Sequence, residues 1–318
     1  MDTALQLPST ALYAKSIEAS KRVRWDIDRD VIRGRTFDFS RKFLPDALAR
    51  IQNFAFATPN EKRFISQIQG RTYANMFAMV ERAIGGKLVQ LQAPHALGDQ
   101  VVFESLVRFT DEELKHQELF RRLEKLMAAG MPAGYAFVPS PNEVATAVLS
   151  KSSWAVLGLT CNIELFTLDH YRQSIDKDPD ASELWKDVFL FHMKEESQHA
   201  ILDEMEWQRE NAGITDAQRE KSVGDLIDLV AAVDGILQAQ SASDAGYFMA
   251  NVSRDFSRDE AEALRAALLR AYRWQYIVSG VQNERFITVL GEMLSPAQMK
   301  RIVSALEPIM KDTAALAA

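Results

Sequence analysis

The sequence is short of the residues that break helices: 14 glycines and 10 prolines in 318 residues. Ala, Leu, Glu, Arg, Lys and Gln are abundant instead, a helix-forming inventory. One cysteine, Cys161, excludes an internal disulfide and fits a reducing compartment. No uncharged apolar run reaches 18 residues, and the start, MDTALQLPSTALYAKS, has neither the basic lead nor the apolar stretch of a secretory signal. A cytoplasmic protein with no membrane partner is expected. There is no Lys/Arg run that could track phosphates and the net charge is −7, so nucleic acid is not expected as a partner. Strand-like alternation and 20 to 50 residue repeats are missing too. What remains is 47% hydrophobic residues, ample for a core, arranged with helical periodicity.

Residues 1–43 carry no sustained period and are expected to form an irregular strap over one domain spanning 1–318. Pro45 opens a short amphipathic piece, DALARIQNFAF. Thr58-Pro59-Asn60-Glu61 caps a long helix that Gly85-Gly86 ends or bends, or that reaches Gln92, with Ala74, Phe77, Glu81, Ile84 and Leu88 on one stripe. A second helix follows Asp99 and runs to about Ala129. Its stripe of Val102, Leu106, Phe109, Phe120 and Leu123 is interrupted by Glu113 and His116. The cap Ser140-Pro141-Asn142-Glu143 starts a third helix, to about Ile175, whose face of Trp154, Leu157, Cys161, Leu168 and Tyr171 holds a single central acid, Glu164. A fourth helix covers Ala181 to about Asn211. The bundle thus occupies 60–212. Further helices over roughly 216–240, 244–252, 257–292 and 296–312 are expected to serve as a lid or dimer surface, and a homodimer is left open.

The chemistry lies in two stretches. Phe189–Glu206, FLFHMKEESQHAILDEME, puts His192, Glu196 and His199 at i, i+4 and i+7, one face of a helix. Phe109–Arg121, FTDEELKHQELFR, repeats the Glu-x-x-His element as Glu113 and His116. A lone Glu-x-x-His commonly just decorates a solvated face. Two copies in apolar stripes, plus one inward Glu from each of two other helices, are the recipe for a carboxylate-bridged metal pair in a four-helix bundle. Unpaired buried carboxylates are costly, and no Lys or Arg stands on these stripes. Two divalent cations would balance Glu81, Glu113, Glu164 and Glu196, with neutral His116, His192 and His199 completing the shells. Oxygen and nitrogen donors suit iron or manganese. In each element the acid before the ligand Glu, Glu112 and Glu195, is a candidate to accept the far N–H of a ligating His. Asp203, one turn past His199, is a further candidate, though a solvated Asp is the commoner case. Thr167 is a candidate proton carrier or a hydroxyl bonded to its own helix. His95 and His170 fall off the stripes and are expected to be structural or exposed. His192 and Glu81 rest on helical phase alone.

Four inward acids, two Glu-x-x-His elements and a His four residues before the last ligand Glu resemble the para-aminobenzoate N-oxygenase family, a branch of the ferritin-like di-iron enzymes. The resemblance covers about residues 60–205 and implies seven ligands: Glu81, Glu113, His116, Glu164, His192, Glu196 and His199. It also implies a di-iron centre, with Fe/Mn or Mn pairs admitted, that takes O2 and electrons from an external donor and oxidises a small molecule, in that family an aromatic amine. Phe120 stands where a ribonucleotide-reductase-type radical protein has its redox tyrosine, and helices beyond 215 have no use in a ferritin cage. Those two readings, a ferroxidase without an organic substrate and a helical interaction module are the alternatives. The segment LRAYRWQYIVSGVQNERF is expected to line a substrate pocket through Tyr272, Tyr276 and Arg285, together with Phe120.

Overall fold

The computed structural model describes residues 9–314. Twelve α-helices follow in order: α1 (Thr10–Arg22), α2 (Asp46–Ala49), α3 (Pro59–Gln92), α4 (Gln100–Gly130), α5 (Pro141–Leu149), α6 (Ser153–His170), α7 (Glu183–Gly213), α8 (Asp216–Ala250), α9 (Arg258–Arg273), α10 (Ser279–Val281), α11 (Glu284–Met293) and α12 (Pro296–Ala314). No strand occurs among the described residues, where Lys42 and Ala181 make one isolated bridge. The fold is the expected all-α four-helix bundle with added C-terminal helices. α3 packs on α4 and α6 on α7, so each pair contributes one Glu-x-x-His helix and one helix with a single inward Glu.

Local chemistry explains several boundaries. Thr58 accepts from the Glu61 backbone N–H while the Glu61 carboxylate accepts from that of Thr58, a reciprocal cap that starts α3 where expected. Gly85 and Gly86 do not end α3, which continues to Gln92; at Gly86 an added Cβ would come within 2.8 Å of Leu149, so the missing side chain lets α5 approach. Close approach also explains Gly158, where a Cβ would lie 2.7 Å from the Trp207 ring, bringing α6 hard against α7.

Other expectations need correction. The strap is not irregular throughout: Tyr13, Ser16, Ile17 and Ser20 form the buried stripe of α1, which lies on α4 and α7. The third helix is two, because Ser150-Lys151-Ser152 breaks it. There the Ser152 N–H donates to Asp225 at 3.1 Å and Lys151 reaches Asp228 at 2.7 Å, both on α8. The break expected near 241–243 is absent. Ser241 turns its hydroxyl back to the Gln238 carbonyl, and Asp244 is held by tertiary partners, so α8 runs unbroken to Ala250. The helix expected over 257–292 instead widens into a π-turn at Trp274–Val278 and restarts at α11, where the Asn283 side chain caps Phe286.

Candidate metal centre

The interior of the bundle brings together the inward acids of α3 and α4 and the imidazoles of α4 and α7. Two overlapping groups of four each place one ligand atom per residue within 4.8 Å of the others: Glu81, His116, His192 and Glu196, and Glu113, His116, Glu196 and His199. All are buried. His192 Nε2 lies 2.7 Å from Glu196 Oε1 and 3.2 Å from Glu81 Oε1. Glu164, on α6, is buried close to Glu196, although it belongs to neither group as its side chain stands.

The two Glu-x-x-His elements are cross-braced. His116 Nε2, on α4, is 2.9 Å from Glu195 of α7, and His199 Nε2, on α7, is 2.8 Å from Glu112 of α4. Each acid preceding a candidate ligand Glu therefore serves the histidine of the opposite helix. With both Nε2 atoms committed outward, each Nδ1 points inward: that of His116 is 3.0 Å from Glu196 Oε1, and that of His199 is 2.9 Å from both Glu113 Oε1 and Glu196 Oε2. Of these three contacts only the last has hydrogen-bond geometry. Both oxygens of Glu113, Glu81 Oε2, His116 Nδ1 and His192 Nδ1 are buried without a hydrogen-bond partner. Buried polar atoms are seldom left so; all of these but His192 Nδ1, which lies on the far side of a ring whose Nε2 meets Glu81 and Glu196, converge on one space. Carboxylate oxygens and imidazole lone pairs aimed at a shared point are what divalent cations need, so the donor set fits a metal pair.

Burial works against the His116 imidazolium, but the Glu196 charge and hydrogen bonds to Glu195 and Glu196 outweigh it and push it up to about 9. His199 is raised in the same way, against burial, chiefly by Glu196. Burial dominates at His192 and lowers it. Glu164 is raised by burial and by the neighbouring Glu196 charge, and Glu196 is held low, against burial, by the three imidazoles.

Several outer contacts were missed by the sequence. Lys115 pairs with Glu195 and stands 4.0 Å over the Trp25 ring, which is stacked on His116. Ser20 and Gln198 donate to Glu112 at 2.6 and 2.8 Å. Ser20 was findable, since it falls in phase with Tyr13 and Ile17, whereas Lys115 reaches sideways from a position that looks solvated. Phe109 stacks on His199 at 4.0 Å and Phe120 meets His192 at 5.1 Å.

The remaining candidates divide. Asp203 is buried, not solvated; burial first, then the Glu113 and Glu196 charges, raise it to about 8, against a bond from Thr160. The Thr167 hydroxyl donates to its own helix at the Ile163 carbonyl, 2.8 Å. His170 is fully enclosed, and His95 sits 2.9 Å from Arg209. The expected pocket needs revision. Arg285 is on the surface, paired with Glu204 at 2.6 Å, and the Tyr272 hydroxyl is turned to Asp244, so neither lines a cavity. Tyr276 lines two. One, of about 80 Å³, runs between α3, α5, α6 and α8 past Phe77, Val80 and Ile84, which flank Glu81, and Thr160 and Ile163, which precede Glu164. The other, of about 280 Å³, lies between α6, α8, α11 and α12. Leu159, Val233 and Tyr276 belong to both walls.

No described protein family and no curated protein matches the chain. Solved structures similar to it include three variants of R2-like ligand-binding oxidases. One with an anaerobically reconstituted Mn/Fe cofactor is 16% identical, with 86% of this chain and 94% of that one covered and a TM-score of 0.44. One with a non-activated Mn/Mn cofactor is 16% identical over 86% and 93%, at 0.41. A third, with an aerobically reconstituted Mn/Fe cofactor, is 15% identical over 98% and 95%, at 0.39. At that level of likeness the centre is defined by its own residues and distances. Among the described residues no helix is long and apolar enough to cross a membrane.

Proposed function

We propose that this chain is a di-metal oxidase or oxygenase that uses O2 to oxidise a small, largely apolar molecule. The observation that carries the reading is the set of unpartnered inward donors, Glu113 Oε1 and Oε2, Glu81 Oε2 and His116 Nδ1, which face one another together with His199 Nδ1 and His192 Nε2, while the outer nitrogens of His116 and His199 are already fixed. Glu81, Glu113, His116, Glu164, His192, Glu196 and His199 would hold the pair. His116 has one inward lone pair and can serve only one ion, so Glu196, with two oxygens and a place in both groups, is the carboxylate suited to bridge. Iron or manganese, or one of each as the similar oxidases carry, would supply the redox chemistry with O2 when bound.

The protein's own residues do the rest. Glu112 and Glu195 fix the tautomers of His199 and His116 and orient their rings. Phe109, Phe120 and Trp25 close the histidine faces against water. The smaller cavity takes the reacting end of the substrate, since its walls are the residues next to Glu81 and Glu164. An aromatic amine, the substrate class the family resemblance suggests, fits walls of Met, Val, Ile and Phe. A ferroxidase without an organic substrate has no use for an apolar cavity beside the centre. Purified protein loaded with ferrous iron under argon, then given O2, an electron donor and a series of apolar amines, distinguishes the two. The proposal expects O2 uptake that depends on the amine and yields an oxidised organic product. Iron mineralisation beyond two ions per chain, with no organic product, contradicts it.

A further inference from the structure

The bundle interior holds a second group of titratable side chains that the metal centre does not use. Tyr73, on α3, and His170, at the end of α6, are both fully buried, with the phenol oxygen 2.7 Å from His170 Nδ1. The Ser279 hydroxyl donates to the Gln275 carbonyl at 3.1 Å and lies 2.9 Å from His170 Nε2. In the tautomer with its proton on Nε2, His170 donates to that hydroxyl, and Nδ1 presents a bare lone pair to the Tyr73 O–H. Burial keeps that imidazole neutral, its pKa lowered to about 3.

The position matters as much as the hydrogen bond. Tyr73 precedes Glu81 by two helical turns, about 12 Å along the axis. The interval is filled by rings: Tyr73 to Phe77 is 4.7 Å and Phe77 to His192 5.4 Å, while a parallel route through Phe189 has steps of 5.3 and 5.9 Å. Other phenols also face bases, Tyr13 at Glu206 and Tyr272 at Asp244. Tyr73 reaches a candidate ligand across a single intervening ring, whereas Tyr272 reaches it only by way of Tyr276 and Tyr73 itself. Trp25 touches His116 directly, but the Lys115 ammonium over its ring opposes the positive charge that an electron's departure would leave.

We propose that Tyr73 is a one-electron redox residue serving the metal centre, with His170 as its proton acceptor; this rests on the oxidase reading above. Tyr73 gives one electron across Phe77 or Phe189 to the metal pair oxidised by O2, which is thereby reduced by one electron. The O–H bond breaks and an N–H bond forms at His170 Nδ1, leaving a neutral phenoxyl radical and an imidazolium whose Nε2–H remains on Ser279. An external one-electron donor returns the electron, and the proton moves back. Oxidation of a phenol makes its O–H strongly acidic, and a base already on that proton lets the positive charge settle on the imidazole instead of on the phenol ring.

The test has two arms. In the first, metal-free protein is oxidised by a flash-generated ruthenium(III) polypyridyl complex and followed by electron paramagnetic resonance. A tyrosyl signal is expected in the wild type, lost in Tyr73→Phe, which preserves the packing, and decaying more slowly in deuterated solvent because the proton must return from His170. An equal signal in Tyr73→Phe overturns the proposal. In the second, ferrous-loaded protein is mixed with O2 and frozen rapidly; O2 consumption with identical spectra in wild type and Tyr73→Phe also overturns it. Should the protein take up no metal, the oxidase reading falls on that ground alone, and the photochemical arm still decides the Tyr73–His170 pair.

Discussion

Two buried acids, Glu113 on α4 and Asp244 on α8, lie in the same helical body and are equally sealed from water. Asp244 is answered in full by uncharged donors. Thr72 and Tyr272 donate to Oδ2, the first at 2.7 Å, and Gln240 donates to Oδ1 at 2.9 Å. Glu113 receives no hydrogen bond on either oxygen and faces other carboxylates and imidazole nitrogens. The first arrangement is complete as it stands and joins α3, α8 and α9. The second is complete only with positive charge between its members. Burial of an acid does not identify a metal site; burial without donors, repeated over several convergent groups, does.

The comparison can be broken most forcefully at Asp244. Asp244→Ala leaves the Tyr272 hydroxyl with nothing to bond and takes one of two partners from the Thr72 hydroxyl and the Gln240 amide, and should cost about 3 kcal/mol of stability, with metal uptake by the surviving folded protein unchanged. Chemical denaturation and metal analysis check the two halves. Glu113→Gln should do the reverse. It removes a buried carboxyl that accepts no hydrogen bond on either oxygen, so the metal-free protein should keep its stability while the bound metal falls below two ions per chain. Loss of stability in the metal-free variant would place Glu113 with Asp244 as a structural acid.

A smaller effect is expected at the cross-braces. Glu112→Gln or Glu195→Gln leaves the inward donors intact but loosens the far nitrogen of His199 or His116, and metal affinity should fall about 10- to 100-fold by competition with a chelator. Unchanged affinity would mean the braces do not set ligand orientation. The mildest contrast is in pH. Burial raises Asp244 from the ordinary 3.8 to about 7, against the hydrogen bonds from Tyr272, Thr72 and Gln240. Between those values the folded protein binds more protons than the unfolded chain, so this group's contribution to stability declines as pH rises and levels off above about 7. The stability advantage of the wild type over Asp244→Asn should therefore be largest near pH 4 and shrink toward pH 7; a difference that grows with pH would contradict the assignment.

The fold was legible where the sequence carried a local signal. The Thr58 cap, the long α3, α4 and α7, and the phase of Glu113 and His116 within an apolar stripe depend on neighbours a turn or less away. The misjudged places depend on partners far along the chain. Asp244 draws α8 through a weak helical stretch because Thr72 and Tyr272 hold it, and Ser150-Lys151-Ser152 breaks because α8 acids wait for it. At the centre, periodicity could place Glu112 and Glu195 beside the candidate ligands but not show that each braces the histidine of the other helix, since that depends on how α4 and α7 face one another. Arg285 and Tyr272 were drawn into the expected pocket by an aromatic-rich sequence, whereas their hydroxyl and guanidinium are taken by Asp244 and Glu204. The Tyr73–His170 pair left no pattern to find, as the two residues are 97 positions apart.

The central claim is that the cluster of Glu81, Glu113, Glu164, Glu196 and three histidines is a two-ion site. Crystals of protein loaded with iron or manganese, measured at the absorption edges of both metals, test it directly. The account predicts two anomalous peaks about 3.5–4 Å apart, enclosed by those seven side chains. Protein that binds no transition metal even after anaerobic loading, with the same carboxylates held by protons alone, would contradict it.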